Sequence, residues 1–191
     1  MDNKALFNLS YGVFMLSTKS GEIANGCITN TCIQVANSPM RVAISVLNSN
    51  YTCELIKKSG IFTLSMLDQS CTFETIKHFG LQSGRNVDKM GNLKFPIDEN
   101  GVPYLGWQSC AMISGKVVNS TDLGSHTLFI GEVIDAKVLS DEQQITYDDY
   151  DYHYSDDLGD SDAFGSIVLF VTALVLVSLI IFINKHAGGG S

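Results

Sequence analysis

The chain has 191 residues, 12 Lys and Arg against 20 Asp and Glu, a formal net charge of −8 and five cysteines. This balance, with Lys57-Lys58 as an isolated basic pair, excludes a nucleic-acid footprint. Scattered thiols without a C-x-x-C pair argue against a zinc or rubredoxin-type iron site and against a disulfide framework, and favour reduced thiols in a reducing compartment.

Residues 6–16 are apolar around Ser10-Tyr11-Gly12 and suit a short helix running into a strand. Ser20-Gly21-Glu22 and Asn25-Gly26 carry turn residues and bracket a tight connection. Residues 27–35 mix small polar and β-branched side chains, as a strand with one side facing a ligand does. Asn37-Ser38-Pro39 breaks the chain before a buried strand over residues 40–47. Residues 51–59 have helical character, with Thr52 as cap, Leu55 and Ile56 on the apolar side and Gly60 as the stop. Residues 61–67 alternate as a strand, and residues 71–79 predict a second helix closed by Gly80. The stretch 82–92 is rich in Gly, Asn, Asp and Lys, too polar for core, and is expected to cover something. Residues 110–119 and 127–138 return to β character. Strands with two short helices and no repeating β–α–β unit predict a mainly β fold, a closed or split barrel over residues 1–140.

The charge is unevenly placed. Residues 1–140 hold 11 basic and 11 acidic residues, whereas residues 141–162 hold nine acidic and no Lys or Arg. That second stretch reads as a solvated spacer or as a docking site for a basic partner. Its Tyr147, Tyr150, Tyr152 and Tyr154 are unusual for a pure spacer, and the first of them are expected to pack on the domain. Residues 163–184 carry no charge, and as a helix they reach roughly 30 Å, the thickness of a bilayer's hydrocarbon. A single C-terminal transmembrane helix is expected; a buried core helix would be shorter, with polar residues on one side. No secretory h-region follows Met1, so the soluble domain is expected to face the cytosol from a single-pass anchor. Residues 185–191 read as a short flexible tail or an expression remnant.

Three polar clusters mark candidate chemistry. Asn25-Gly26 with Thr29-Asn30-Thr31 sets hydroxyls and amides beside a strand. Ser45, followed by Asn48-Ser49-Asn50-Tyr51-Thr52, leads into a helix, where N–H groups and hydroxyls make an anion site. Ser83-Gly84-Arg85 with Lys89 adds positive charge suited to a phosphate. Each cluster alone is equally well a set of turn and cap residues. His126, between Gly124-Ser125 and a strand, is the most pointed histidine, with a plain turn residue as the alternative. His78 reads as a helix-end dipole partner, and His153 and His186 lie outside the domain. No Ser/His/Asp or Cys/His set can be assembled, and four dispersed histidines make a poor metal site. Neither a G-x-G-x-x-G fingerprint nor a phosphate-binding P-loop is present.

The same residues, in order, carry a family resemblance. N-G-x-x-T-N-T at 25–31, the strand ending in Ser45, F-G-x-x-S-G-R-x-V-D-K at 79–89 and G-x-H-T-L-F-I-G-E-V at 124–133 resemble the flavin reductase-like, FMN-binding split barrels. The likeness is to flavoredoxins and the flavin domain of high-molecular-weight rubredoxins, and it covers about residues 1–140. It implies a homodimer with FMN at or near the subunit interface. By position, Thr29, Asn30 and Thr31 would lie along the isoalloxazine, and Ser45, Asn50 and Thr52 would hold the ribityl chain and phosphate. Asn25 and Asn48 belong to the same cofactor-binding set. Ser83, Gly84, Arg85 and Lys89 would close over the cofactor or the nicotinamide donor, and His126 would sit at the flavin edge where hydride arrives. The chain departs from the pattern at Asn48, where such proteins commonly carry Lys, and at Cys53, where a His often follows the helix-opening Thr. An acidic spacer and an apolar run also stand where the rubredoxins carry an iron module.

The expected function is therefore a membrane-anchored FMN oxidoreductase. It would take electrons from NADH or NADPH and pass them to flavin, a rubredoxin-like or flavodiiron partner, or ferric iron. The alternatives are a tethered FMN electron-carrier module reduced by a protein partner, and a barrel that has lost its cofactor and serves interaction.

Overall fold

The computed structural model describes residues 8–91 and 93–146, all within the unit Met1–Tyr150. The remainder of the acidic spacer, with Tyr147 onward, the apolar run 163–184, the tail, His153 and His186 lie outside the described residues. Among the described residues no helix is long and apolar enough to cross a membrane.

Seven strands make one antiparallel sheet: β1 Phe14–Ser20, β2 Ile23–Thr29, β3 Cys32–Asn37, β4 Met40–Leu47, β5 Ile61–Leu67, β6 Ser109–Asp122 and β7 His126–Val138. Their spatial order is β2-β1-β5-β6-β7-β4-β3. β2 and β3 are consecutive in the chain yet occupy opposite edges, so the two-residue link Asn30-Thr31 joins the edges at one corner. A sheet whose edges meet at one end and part at the other is a split barrel. Residues 27–35 are accordingly two strands, because the chain crosses between edges at Asn30-Thr31.

Helix α1, Tyr51–Ser59, packs against β1, β2 and β4 and fills the gap. It contributes Cys53 and Ile56 to the same core as Leu16, Ile44, Phe62, Leu64 and Phe129. Its cap is Asn50, whose side chain accepts from the Thr52 N–H, and Gly60 ends it in the left-handed region at φ 69°. Thr52, the expected cap, is instead fully buried. Helix α2, Phe73–Gly80, is capped by Thr72 and ends one residue later than expected, with the Leu81 N–H closing on the Lys77 carbonyl.

Asn25-Gly26 forms no turn. The β1–β2 reversal is at Gly21, φ 61°, and β2 runs straight through Asn25 and Gly26, paired with Thr18 and Ser17. Glycine serves close packing there, since an added Cβ would meet Met90 Cε at 2.9 Å and Met15 Sδ at 3.0 Å. The polar stretch after α2 also departs from expectation, because Lys89 and Met90 are buried beneath it.

Outside the barrel, the loop before β6 is clasped by polar side chains. Ser17, Thr63 and Ser114 align across β1, β5 and β6. The buried Asp98 carboxylate accepts from Thr63 Oγ1 and Ser114 Oγ, and from the N–H groups of Asn100 and Val102. Beyond β7, Ile145 is buried and exchanges backbone bonds with Val13 and Leu67, so the chain through Thr146, which includes the first residues of the acidic spacer, is part of the barrel. Asp98→Ala strands four donors and should lower unfolding free energy by about 3 kcal/mol. Urea unfolding measures this, and a loss below about 1 kcal/mol would contradict the clasp.

Candidate functional site

The site is built where α1 emerges from the seam. Asn25, buried on β2, donates from Nδ2 to Thr52 Oγ1 at 2.9 Å, while the Thr52 N–H donates to Asn50 Oδ1 at 2.9 Å. Gly84 lies so close to this amide that an added Cβ would stand 2.0 Å from Asn25 Oδ1. Ser83 opens the loop, its Oγ accepting from the Arg85 N–H at 3.2 Å and its carbonyl from Asn86 and Val87. Arg85 stacks on Tyr51, 4.6 Å from the ring centroid, and its Nη1 pairs with Glu54 Oε2 at 2.7 Å. Hydrogen bonds from Lys58 and Arg85 hold the Glu54 carboxyl below the usual range. Asn25, Asn50, Thr52, Ser83, Gly84 and Arg85 thus converge on the first turn of α1. Glu54, which with Tyr51 places the guanidinium, lies outside the clusters read from the sequence; its i,i+4 pairing with Lys58 is the legible signal.

A second group lies at the strand crossing. The Thr31 N–H donates to Thr29 Oγ1 at 3.4 Å, and Thr31 Oγ1 donates to Asn30 Oδ1 at 3.0 Å. Ser45 joins them through its backbone, its N–H reaching the Thr31 carbonyl at 3.4 Å. All four are partly accessible, so hydroxyls and an amide face outward within one short stretch.

A third group surrounds the β6–β7 turn. Asn48 Nδ2 donates to Asp122 Oδ1 at 3.1 Å and to the Gly124 carbonyl at 2.8 Å. Asn48 Oδ1 accepts from Thr127 Oγ1 at 2.5 Å and from Lys57 Nζ at 3.3 Å. The amide is therefore committed within the protein. His126 pairs across to Leu47 on β4 and shares a hydrogen bond between its Nδ1 and Ser125 Oγ at 2.8 Å. Burial holds its pKa below the ordinary 6.5, so the ring is neutral at pH 7.

Lys89 does not join these groups. Its Nζ donates to the carbonyls of Phe79 at 2.7 Å and Gly26 at 3.1 Å, inside the layer between α2 and β2. Burial pushes its pKa down, opposed by nearby Cys27. It pins the loop that carries Arg85 and presents no charge to a ligand. No disulfide joins the five cysteines, and burial raises their pKa values, those of Cys32 and Cys71 to about 12. None is a thiolate nucleophile at neutral pH. Among the described residues no cluster of His, Cys, Asp and Glu could hold a metal ion.

The donor set fits an anionic heteroaromatic ligand. The positive end of α1, with Arg85 beside it, suits a phosphate, and the crossing at 29–31 offers donors and acceptors along a ring edge. A neutral imidazole lies beyond the Asn48 turn.

The profile of the flavin reductase like domain family matches residues 6–156. A high molecular weight rubredoxin of Moorella thermoacetica is 35% identical over 147 residues, 77% of this chain; the chain spans 64% of that relative's length. A ferric-chelate reductase (NAD(P)H) of Archaeoglobus fulgidus is 35% identical over 150 residues, covering 78% of this chain and 89% of that protein. Among solved structures, flavin reductase PheA2 superposes with a TM-score of 0.64 at 27% identity, over 76% of this chain and 93% of that one. An NADH:FAD oxidoreductase of Streptomyces globisporus, at TM-score 0.67 and 22% identity over 74% of this chain and 84% of that one, shares the fold.

The depressed His126 pKa has a sign. The unfolded chain binds the proton more readily, so this contribution to stability is full above 6.5 and is lost as pH falls toward the folded-state value. An NMR titration of the ring should give a midpoint below 6.5, and His126→Gln should flatten the stability loss between about pH 7 and about pH 5. A midpoint above that of free histidine would contradict the placement.

Proposed function

The chain belongs to the flavin reductase-like domain family, and from that premise we propose that it is an FMN flavoprotein reduced by NADH or NADPH. The observation that carries the reading is the convergence of Asn50, Thr52 and Arg85 on the first turn of α1, together with the partly accessible Thr29-Asn30-Thr31 crossing. When bound, FMN supplies acceptance of a hydride from nicotinamide and release of its electrons singly to a one-electron acceptor.

The chain's own residues have separable tasks. Arg85, held by Tyr51 and Glu54, binds the phosphate at the positive end of α1. Thr29, Asn30 and Thr31 orient the ring edge, and the hydroxyl of Ser45 faces the same side. Neutral His126 keeps a ring nitrogen available at the edge, where it holds a hydrogen bond without adding charge. Asn25 and Gly84 position the loop and helix against one another.

A homodimer completes this reading. Ile33 and Val35 on edge strand β3 are 63% and 47% exposed, beside Thr31 and Ser45. Apolar side chains on an open strand edge suit burial against a second copy, which brings a partner surface to the ring. Electron acceptors of the reading are free flavin, ferric iron, or a rubredoxin-like or flavodiiron protein. The uncharged run 163–184 supports a single-pass membrane anchor.

One preparation tests the reading. Full-length protein should stay in alkali-washed membranes, enter detergent with visible flavin absorbance, and be bleached anaerobically by NADH or NADPH. His126→Ala should slow bleaching by at least about tenfold while FMN affinity is unchanged. A colourless protein removes the flavin reading, and flavin that neither nicotinamide bleaches favours the carrier. Release by alkali removes the anchor.

A further inference from the structure

Leu123-Gly124-Ser125 link β6 to β7, and His126 is the first residue after the link. The Leu123 N–H donates to the His126 carbonyl at 2.8 Å, and Gly124 takes φ 91°, the left-handed residue that such short hairpin links use. The link itself is exposed, and a hairpin tip of this kind has little of its own to fix its position.

Asn48, the residue after β4, supplies the hold from outside the hairpin. Its backbone N–H donates to the Ser125 carbonyl at 2.9 Å. Its Nδ2 donates to the Gly124 carbonyl at 2.8 Å and to Asp122 Oδ1 at 3.1 Å, and its Oδ1 accepts from Thr127 Oγ1 at 2.5 Å. Residues 122, 124, 125 and 127 are thereby tied to one side chain and its backbone. The Asp122 contact is charge-assisted: hydrogen bonds from the Gly124 N–H and the Asn48 amide hold that carboxyl below the usual range. His126 lies among these ties, and its ring is engaged only at Nδ1, by Ser125 Oγ. Among the described residues Nε2 takes no hydrogen bond. From α1, Cys53 Sγ stands 3.9 Å and Lys57 Nζ 3.3 Å from Asn48 Oδ1, so the hairpin tip is braced against the helix as well. The chain departs from the pattern it resembles at Asn48 and at Cys53, and here the two are neighbours.

We propose that Asn48 is a positioning residue, which locks the β6–β7 turn so that the His126 ring meets the flavin edge with Nδ1 held and Nε2 free. This rests on the flavin reading above and deepens it, because it names what sets the place of the ring. Asn48 acts through His126 and does not hold the cofactor, since both its amide protons and its oxygen are spent within the protein.

The test follows anaerobic bleaching at saturating NADH or NADPH, beside FMN affinity by flavin fluorescence, in full-length protein in detergent. Wild type, N48L, H126A and the N48L/H126A double variant are compared. N48L should slow bleaching about tenfold with FMN affinity unchanged. In the H126A background it should slow bleaching no further, because residues that act as one unit are not additive. Asp122 is exposed, so D122A keeps the fold and decides the matter if N48L does not fold; it should act in the same direction and likewise lose its effect in H126A. Ring nitrogen shifts of His126 by NMR give a readout apart from activity, with one neutral tautomer in wild type and a mixture in N48L or D122A. Equal slowing with and without His126, wild-type rates in both N48L and D122A, or a loss of FMN affinity that matches the loss of rate overturns the positioning role and leaves the flavin reading standing. A wild type that neither nicotinamide bleaches, or an H126A variant as fast as wild type, overturns the reading on which the role rests.

Discussion

The hydrogen bond between Asn25 and Thr52 joins the edge strand of the barrel to the helix that fills its seam. Both partners are buried, so breaking it leaves a polar group unsatisfied at a cost of about 1–3 kcal/mol. The bond sets where α1 begins, and therefore where its positive end meets solvent. The same amide presses on Gly84, which delivers Arg85 to Tyr51 and Glu54. One buried amide thus coordinates three pieces of chain that are remote in sequence.

The local character of most elements was legible. M-R-V-A-I-S-V-L and I-F-T-L-S-M-L are strands with the bounds read from the pattern, and α1 spans the residues expected. Periodicity and the Gly60 stop suffice for such elements, since each is determined by its own neighbourhood. What could not be read depends on tertiary contact. Asn25-Gly26 has the composition of a turn, but Gly26 is small because Met15 and Met90 crowd it. Thr52 has the chemistry of a cap, yet Asn50 takes that role because Thr52 is needed by Asn25. Lys89 has the charge of a phosphate ligand, but its ammonium satisfies two carbonyls in the interior.

The candidate site divides in the same way. The motifs identified its components, and the fold brings Asn25, Asn50, Thr52, Ser83, Gly84 and Arg85 together. Asn48 and Lys89 prove to be internal fasteners whose bonds are made within the protein. Tyr51 and Glu54 matter through Arg85, and partners across 31 residues, as for Arg85 and Glu54, leave no local pattern. The balanced charge of residues 1–140 conceals this arrangement, because an average over the domain hides a guanidinium placed at one helix end.

The central claim is that the rim of α1 and the strand crossing hold the flavin. Amide NMR of the full chain in detergent micelles during FMN titration tests it most directly. The account predicts shifts concentrated at residues 29–31, 48–52 and 83–85, with His126 responding and the clasp around Asp98 silent. Shifts centred instead on residues 93–106 or on the start of β2 would contradict it.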